Sequence, residues 1–419
     1  MTVLIIFILG YLAIALEHVI RLNKAASALL TAGLCWAYIS VNGEGGYAIS
    51  EALSHHMEEA AGILFFLLGA MTIVELIDAH DGFELITARI NTSDKRRLLW
   101  IVSFLTFFLS AILDNLTTTI VIISLLGKIL SNRRDRLMFT GMVVIAANAG
   151  GAWSPIGDVT TTMLWIGGQI SPLSIIRSAL LPSLVCLIVP LLIASIRMKG
   201  PVERDFNKGD KPEGHKIARE RNIVFWIGIS CLLFVPLFKT ITHLPPYMGM
   251  LFGLGLMWLI TEIIHSGRDE SEKGIYSVNH ALRKIDSPSI LFFLGILLSI
   301  GALQHTGFLT EAASYLSENI SDIRIITIII GLLSAIVDNV PLVAAVQGMY
   351  GMDQYPTDHF FWQFLAYCSG TGGSALIIGS AAGIAAMGME RIAFGWYLKK
   401  ISWLALAGFI SGAMVFIWM

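Results

Sequence analysis

The chain has 419 residues, 55% hydrophobic and 14% charged, with a formal net charge of −2 and a mean hydropathy of +0.74. So little charge over that length excludes a soluble globular protein, and the near-neutral balance leaves no basic footprint for nucleic acid. Cys35, Cys186, Cys231 and Cys368 lie far apart in apolar runs and read as small core residues, not as a metal site or disulfide framework.

Apolar runs of roughly 16 to 20 residues, enough to cross a ~30 Å hydrocarbon core, recur along the chain. They predict spans near 1–17, 25–41, 60–78, 138–166, 178–196, 222–238, 246–264, 288–303, 361–388 and 397–418. The first lacks a basic region and a small-residue cleavage site, so it reads as a retained span. Six alternate loops (18–24, 79–97, 131–136, 197–221, 265–287, 389–400) hold 24 Lys and Arg, against 3 in the five others. Positive charge stays cytoplasmic, which puts both termini outside. Residues 42–59, with His55, His56, Glu58 and Glu59, then form an external loop with a solvated surface.

Two segments differ from ordinary spans. Leu109-Ser110-Ala111-Ile112-Leu113-Asp114-Asn115 returns as Leu333-Ser334-Ala335-Ile336-Val337-Asp338-Asn339. Each copy sets an acid and an amide inside an apolar segment, where a charge is costly unless it is used or paired. Segment 98–130 has basic flanks on both sides, Lys95-Arg96-Arg97 and Arg133-Arg134-Asp135-Arg136, and arms of about 16 residues, short for a crossing. It reads as a re-entrant helical hairpin from the cytoplasmic side. Segment 325–348 reads as the matching hairpin from outside.

The halves agree elsewhere too. Ile63-Leu64-Phe65-Phe66-Leu67 matches Ile290-Leu291-Phe292-Phe293-Leu294, and Ala149-Gly150-Gly151-Ala152 matches Thr371-Gly372-Gly373-Ser374. The expected fold is an all-α polytopic membrane protein, an inverted repeat of five spans plus one re-entrant hairpin per half. The first repeat covers 1–196 and the second 222–419, joined by a cytoplasmic linker at 197–221. Paired glycines and Pro155 predict a broken helix within Asn148 to Thr162, with Ser369 to Ser374 as its counterpart.

A hairpin tip offers carboxylate, amide, hydroxyl and backbone oxygens, the hard ligands that replace the water of Na⁺ or Li⁺. Asp114 or Asn115 is expected to cap the returning arm ahead of Thr117, Thr118 and Thr119, and Pro341 suits the first helical position of the second returning arm. The first half is richer in acids and hydroxyls, which places the main cation ligands at Asp114, Asn115, Asn148, Asp158, Thr160 and Thr161. Burial disfavours a carboxylate's charge and a bound cation restores it, so one Asp can hold either H⁺ or Na⁺. Glu75 is the deepest acid at the end of the third span and is a further candidate. The chain lacks a His-Glu-x-x-His motif or catalytic dyad, which argues against an intramembrane enzyme.

The stretches Leu113 to Thr119, Asn148 to Thr162, Val337 to Pro341 and Ser369 to Ser374 resemble the NhaD-type Na⁺/H⁺ antiporters of the ion transporter superfamily. The resemblance implies exchange of internal Na⁺ or Li⁺ for external protons, by alternating access, in a homodimer in a bacterial inner membrane. It carries over important polar positions to Ser110, Asp114, Asn115, Asn148, Asp158, Thr160, Thr161, Ser334, Asp338 and Asn339, with Thr371 and Ser374 beside them. Na⁺ is expected at Asp114, Asn115, Asp158 and Asp338, supported by Thr117 and Thr118. No resident cofactor is implied. The alternative is a Na⁺-coupled organic-anion or arsenite carrier of the same superfamily, whose anion-binding members use neutral Ser-Asn-Thr tips where this chain has Asp-Asn.

Overall fold

The computed structural model describes residues 1–15, 17–20, 22–42, 46–87, 92–202, 215–266, 274, 276–320 and 322–419. The described residues form helices throughout, with one isolated backbone bridge between Asp94 and Pro201. In chain order the principal helices are α1 (Thr2–Ala15), α2 (Lys24–Asn42), α3 (Gly46–Ala79), α4 (Lys95–Leu113), α5 (Asn115–Ile129) and α6 (Arg133–Ala152). There follow α7 (Val159–Ile166), α8 (Pro172–Arg197), α9 (His215–Thr242), α10 (Pro246–His265), α11 (Ser287–His305) and α12 (Phe308–Asn319). The last are α13 (Ile323–Leu333), α14 (Asn339–Met349), α15 (Phe360–Gly372), α16 (Ala381–Glu390), α17 (Phe394–Lys400) and α18 (Ser402–Trp418).

Local sequence sets where these helices begin. Asp94, Asn132 and Asp322 each place a side-chain oxygen on a free N–H of the first turn of α4, α6 and α13. Pro172 and Pro246 open α8 and α10, where a missing N–H costs nothing. Among the described residues seven helices are long and apolar enough to cross a membrane, or up to eight if α17 and α18, bent by 49°, act as one. Leu9, Leu30, Phe65, Ile196, Leu237 and Ile263 lie exposed on such faces, which water would penalise and lipid would not. This is a multi-span membrane protein.

Several expected elements have different bounds. The first span is a helix of 14 residues, about 21 Å at 1.5 Å per residue. α4 has 19 residues and is long enough to cross by itself, so arm length does not mark out the 98–130 segment. The expected external loop with His55, His56, Glu58 and Glu59 is helical: α3 runs unbroken for 34 residues from Gly46. No proline interrupts that stretch, and Ala, Leu, Met and Glu continue a helix in water as readily as in lipid. The His56 ring sits against Trp36, centroids 5.9 Å apart. Of the expected linker, 203–214 lies outside the described residues, and α9 already begins at His215.

Two apolar cores organise the packing. The larger gathers α4, α5, α6, α8 and α15, among them Phe107, Phe139, Leu187 and Phe364. The smaller joins α1, α2 and α11 and takes in Val340 and Ala344 of α14. Within it, Trp36 Nε1 donates to the Leu298 carbonyl at 2.9 Å, which fixes α2 along α11.

Candidate functional site

α4 and α5 meet at one residue. Asp114 has φ 117° and ψ 161°, a region that glycine alone enters freely. Its carboxylate holds the junction: Oδ1 accepts from Thr117 N at 2.7 Å and Oδ2 from Thr117 Oγ1 at 2.8 Å. α13 and α14 meet over a longer unwound stretch, 334–338. Asp338 there has an ordinary φ of −50°, and its Oδ1 accepts from Val340 N at 3.3 Å. Pro341 is the third residue of α14, not the first, but still lies in the opening turn, where no helical N–H bond is lost.

Both arms α4 and α5 pack on α6, and α13 packs on α15. The two supports break at corresponding places. α6 ends at Ala152 and α7 starts at Val159, while α15 ends at Gly372 and α16 starts at Ala381. Similar contacts hold each arm to its support. Ser110 Oγ donates to the Ala147 carbonyl at 2.6 Å, and Ser334 Oγ to the Ser369 carbonyl at 2.8 Å. A β-carbon on Gly150 would overlap the Phe107 carbonyl, and one on Gly372 would overlap that of Gly331. We expect Gly372→Ala to destabilise the protein by about 1–3 kcal/mol, read as a lower melting temperature in detergent. Gly388→Ala, in α16 with nothing within 4 Å of its β-position, should leave the melting temperature unchanged or raise it.

The breaks and tips bring a polar network together. Asp158, 1% exposed, caps α7: Oδ1 accepts from Thr160 N at 2.9 Å and from Thr160 Oγ1 at 2.7 Å. Its Oδ2 accepts from Asn115 Nδ2 at 2.8 Å, and Asn339 Nδ2 approaches both oxygens at 3.4 and 3.5 Å. Asn115 Nδ2 also donates to Asn148 Oδ1 at 3.0 Å. Asn148 Nδ2 donates in turn to Ser374 Oγ and Ser380 Oγ, both at 2.9 Å. Asn115, Asn148, Asp158, Thr160, Asn339 and Ser374 are thus joined from both tips and both breaks.

The other named residues sit around this network. The Asp114 and Asp338 carboxylates point to their own caps and are not bonded to Asp158, and among the described residues no group of three or more Asp, Glu, His or Cys converges to hold a metal ion. The hydroxyls of Thr118 and Thr161 are buried with no hydrogen-bond partner, which leaves oxygen lone pairs available near the network's chain positions. Thr371 bonds back to the Tyr367 carbonyl of its own helix. Glu75 pairs with Lys284 at 3.0 Å and makes no contact with the network. Ser380, which caps α16 as Asp158 caps α7, was not among the expected site residues. Tyr397, whose hydroxyl donates to the Ser374 carbonyl at 2.9 Å, carried no sequence signal.

A cavity of about 400 Å³ is lined by His56, Glu59, Met163, Gln169, Ala344 and Gln347. Its lining shares two helices with the network: Met163 follows Thr160 by one turn of α7, and Ala344 lies just over one turn beyond Asn339 on α14.

Helices interrupted at corresponding places around a buried polar network, in a chain with at least seven helices able to cross a membrane among its described residues, are the architecture of a transporter. A family model described as citrate transporter matches residues 3–363. Sodium/proton antiporter 1 of Arabidopsis thaliana is 49% identical over 413 residues, covering 99% of this chain and 71% of that protein. The Na⁺/H⁺ antiporter NhaD of Vibrio cholerae is 32% identical over 427 residues, covering 96% and 87%. The crystal structure of the Alcanivorax borkumensis YdaH transporter shares the fold, with a TM-score of 0.59 at 12% identity over 94% of this chain and 96% of that one. The chain belongs to the NhaD-type sodium/proton antiporter family, within the wider group that the citrate-transporter model describes.

Proposed function

We propose that the protein exchanges cytoplasmic Na⁺ or Li⁺ for external protons by alternating access, with cation and proton competing for Asp158. One observation carries this reading. Asp158 is a fully buried carboxylate whose hydrogen-bond partners are all neutral, and it forms no ion pair among the described residues. A buried charge without a partner is costly enough to be neutralised, and here the neutralising species would be a proton or a small hard cation. A bound cation would need the Asn115 and Asn339 amides, which now turn Nδ2 to Asp158, to present their oxygens instead, with the Thr160 and Thr161 hydroxyls beside them and Asp114 and Asp338 as the outlying carboxylates of the two tips. The names of the Arabidopsis and Vibrio relatives point the same way.

The inverted repeat, with halves 1–196 and 222–419 and one re-entrant hairpin in each, is the architecture we assign to this exchange. Its support is the recurrence of contacts: Ser110 on Ala147 and Ser334 on Ser369, with a glycine against a carbonyl beside each. A homodimer in a membrane that carries a proton gradient, such as a bacterial inner membrane, completes the proposal. A relative at 49% identity comes from a plant, Arabidopsis thaliana, so the membrane need not be bacterial.

The family model's description raises a second reading, Na⁺-coupled uptake of a di- or tricarboxylate. Asp158 at the centre and Asp114 on one tip would repel such an anion, and among the described residues no Lys or Arg is bonded to Asp158, Asn115, Asn148 or Asn339 to receive it. Inside-out vesicles energised by respiration and loaded with a ΔpH-sensitive dye separate the two. NaCl and LiCl should collapse ΔpH while choline chloride does not. Na⁺-dependent uptake of labelled citrate with no cation-evoked dye response would sink the exchange reading.

A further inference from the structure

Lys24 opens α2, and the sequence treats it only as one more charge in a cytoplasmic loop. In the structure its ammonium lies 4.0 Å from Asp338 Oδ2, with the two side chains 21% and 19% exposed. The same ammonium stands 4.5 Å from the centroid of the Phe292 ring on α11. The three aspartates are therefore treated differently. Asp114 gives both oxygens to Thr117, and Asp158 is surrounded by neutral donors. Asp338 caps Val340 with Oδ1 and turns Oδ2 to a cation supplied by the chain itself.

Position adds to this. Asp338 adjoins Asn339, whose amide reaches Asp158. Lys24 and Phe292 lie near the start of α11, whereas the cavity is lined by Ile300, Gly301 and Gln304 near its other end. Nine residues of helix separate Phe292 from Gly301, about 14 Å along the axis. The ion pair is therefore well separated from the cavity along α11. It also joins α2, from the smaller core, to a helix tip.

We propose that Lys24 is a tethered counter-cation, which occupies Asp338 when no transported ion does and must be displaced before an ion can use that carboxylate. The proposal rests on the cation-exchange reading above. At 4.0 Å the two groups stand at the outer limit of an ion pair, so a hard cation in the network can compete with Lys24 for the carboxylate. Phe292, whose ring the ammonium already faces at 4.5 Å, keeps a favourable contact for it when Asp338 is taken. Lys24 is a positioning residue: it acts through Asp338 and sets how much Na⁺ is needed, not how the ion is bound at Asp158.

Na⁺ titrations of the dye response in inside-out vesicles, at one fixed pH, test this with Lys24→Gln, Lys24→Met and Lys24→Arg. The neutral variants should reach half-maximal response at roughly fivefold less Na⁺ than the native protein, the scale of a partly exposed pair, with no gain in maximal rate. Lys24→Arg, whose planar fork grips a carboxylate with two parallel bonds, should need more Na⁺ than native. A structural role alone does not produce shifts of opposite sign. Membrane abundance is read from a C-terminal fluorescent fusion, and Lys24→Met keeps an unbranched apolar side chain at the position. If the neutral variants fail to reach the membrane, Lys24→Arg still decides. An unchanged or lowered Na⁺ requirement in Lys24→Arg, or an unchanged or raised one in the neutral variants, overturns the proposal. A native protein with no response to Na⁺ or Li⁺ overturns the exchange reading instead.

Discussion

Asp158→Asn should reduce Na⁺- and Li⁺-evoked ΔpH collapse to the background of vesicles without the protein, while the folded protein persists. Asparagine keeps the volume of the side chain and one acceptor oxygen, so Thr160 N can still be capped. The amide nitrogen would then face Asn115 Nδ2, now 2.8 Å from Oδ2, and one charge-assisted bond is lost at about 1.5–3 kcal/mol. Removing a buried charge that has no cationic partner offsets that loss. The melting temperature should therefore stay close to native even though exchange vanishes. Residual Na⁺-driven exchange above about a tenth of native would move the ion's carboxylate from Asp158 to Asp114 or Asp338 and refute the central assignment.

The second large effect divides activity from stability at Asp114. Both Asp114→Gly and Asp114→Ala remove the cap on Thr117, at about 1 kcal/mol, and both should abolish exchange. Their backbones differ. Alanine inherits the φ of 117°, whereas glycine relieves a strain of roughly 1–3 kcal/mol. Asp114→Gly should therefore melt at a higher temperature than Asp114→Ala. The reverse order would show that the junction between α4 and α5 relaxes away from its present conformation. No such ordering is expected for Asp338, whose φ of −50° suits any residue.

What the sequence revealed follows from how cost is distributed. Asp114, Asn115, Asp158, Asp338 and Asn339 were visible because each is a polar group in an apolar run, an anomaly that needs no structure to notice. The breaks after Ala152 and Gly372 were visible because glycine pairs and Pro155 weaken a helix locally. The lower end of α3 was missed because hydropathy marks the bilayer and not the helix: Glu51, His55 and Glu58 leave the apolar window but not the helix. Lys24 was missed for a different reason. Its partners Phe292 and Asp338 are joined to it only by folding, and a lysine in a short basic loop resembles any other. Ser380 lay between these cases, polar and at the matching position of the second copy, yet distinguished only by the Asn148 amide that reaches it.

The glycine contacts of α6 and α15 bear on energetics as well as shape. With Gly150 against the Phe107 carbonyl and Gly372 against that of Gly331, main chain rests on main chain and no side chain is left between them to yield. On the exchange reading proposed above, the groups around Asp158 would move as one rigid frame, carried whole or not at all. A frame that keeps its geometry would have the same intrinsic preference among Na⁺, Li⁺ and H⁺ at either end of its travel. The work of a cycle would then be set by the two solutions it meets, and net flow would reverse when their gradients do.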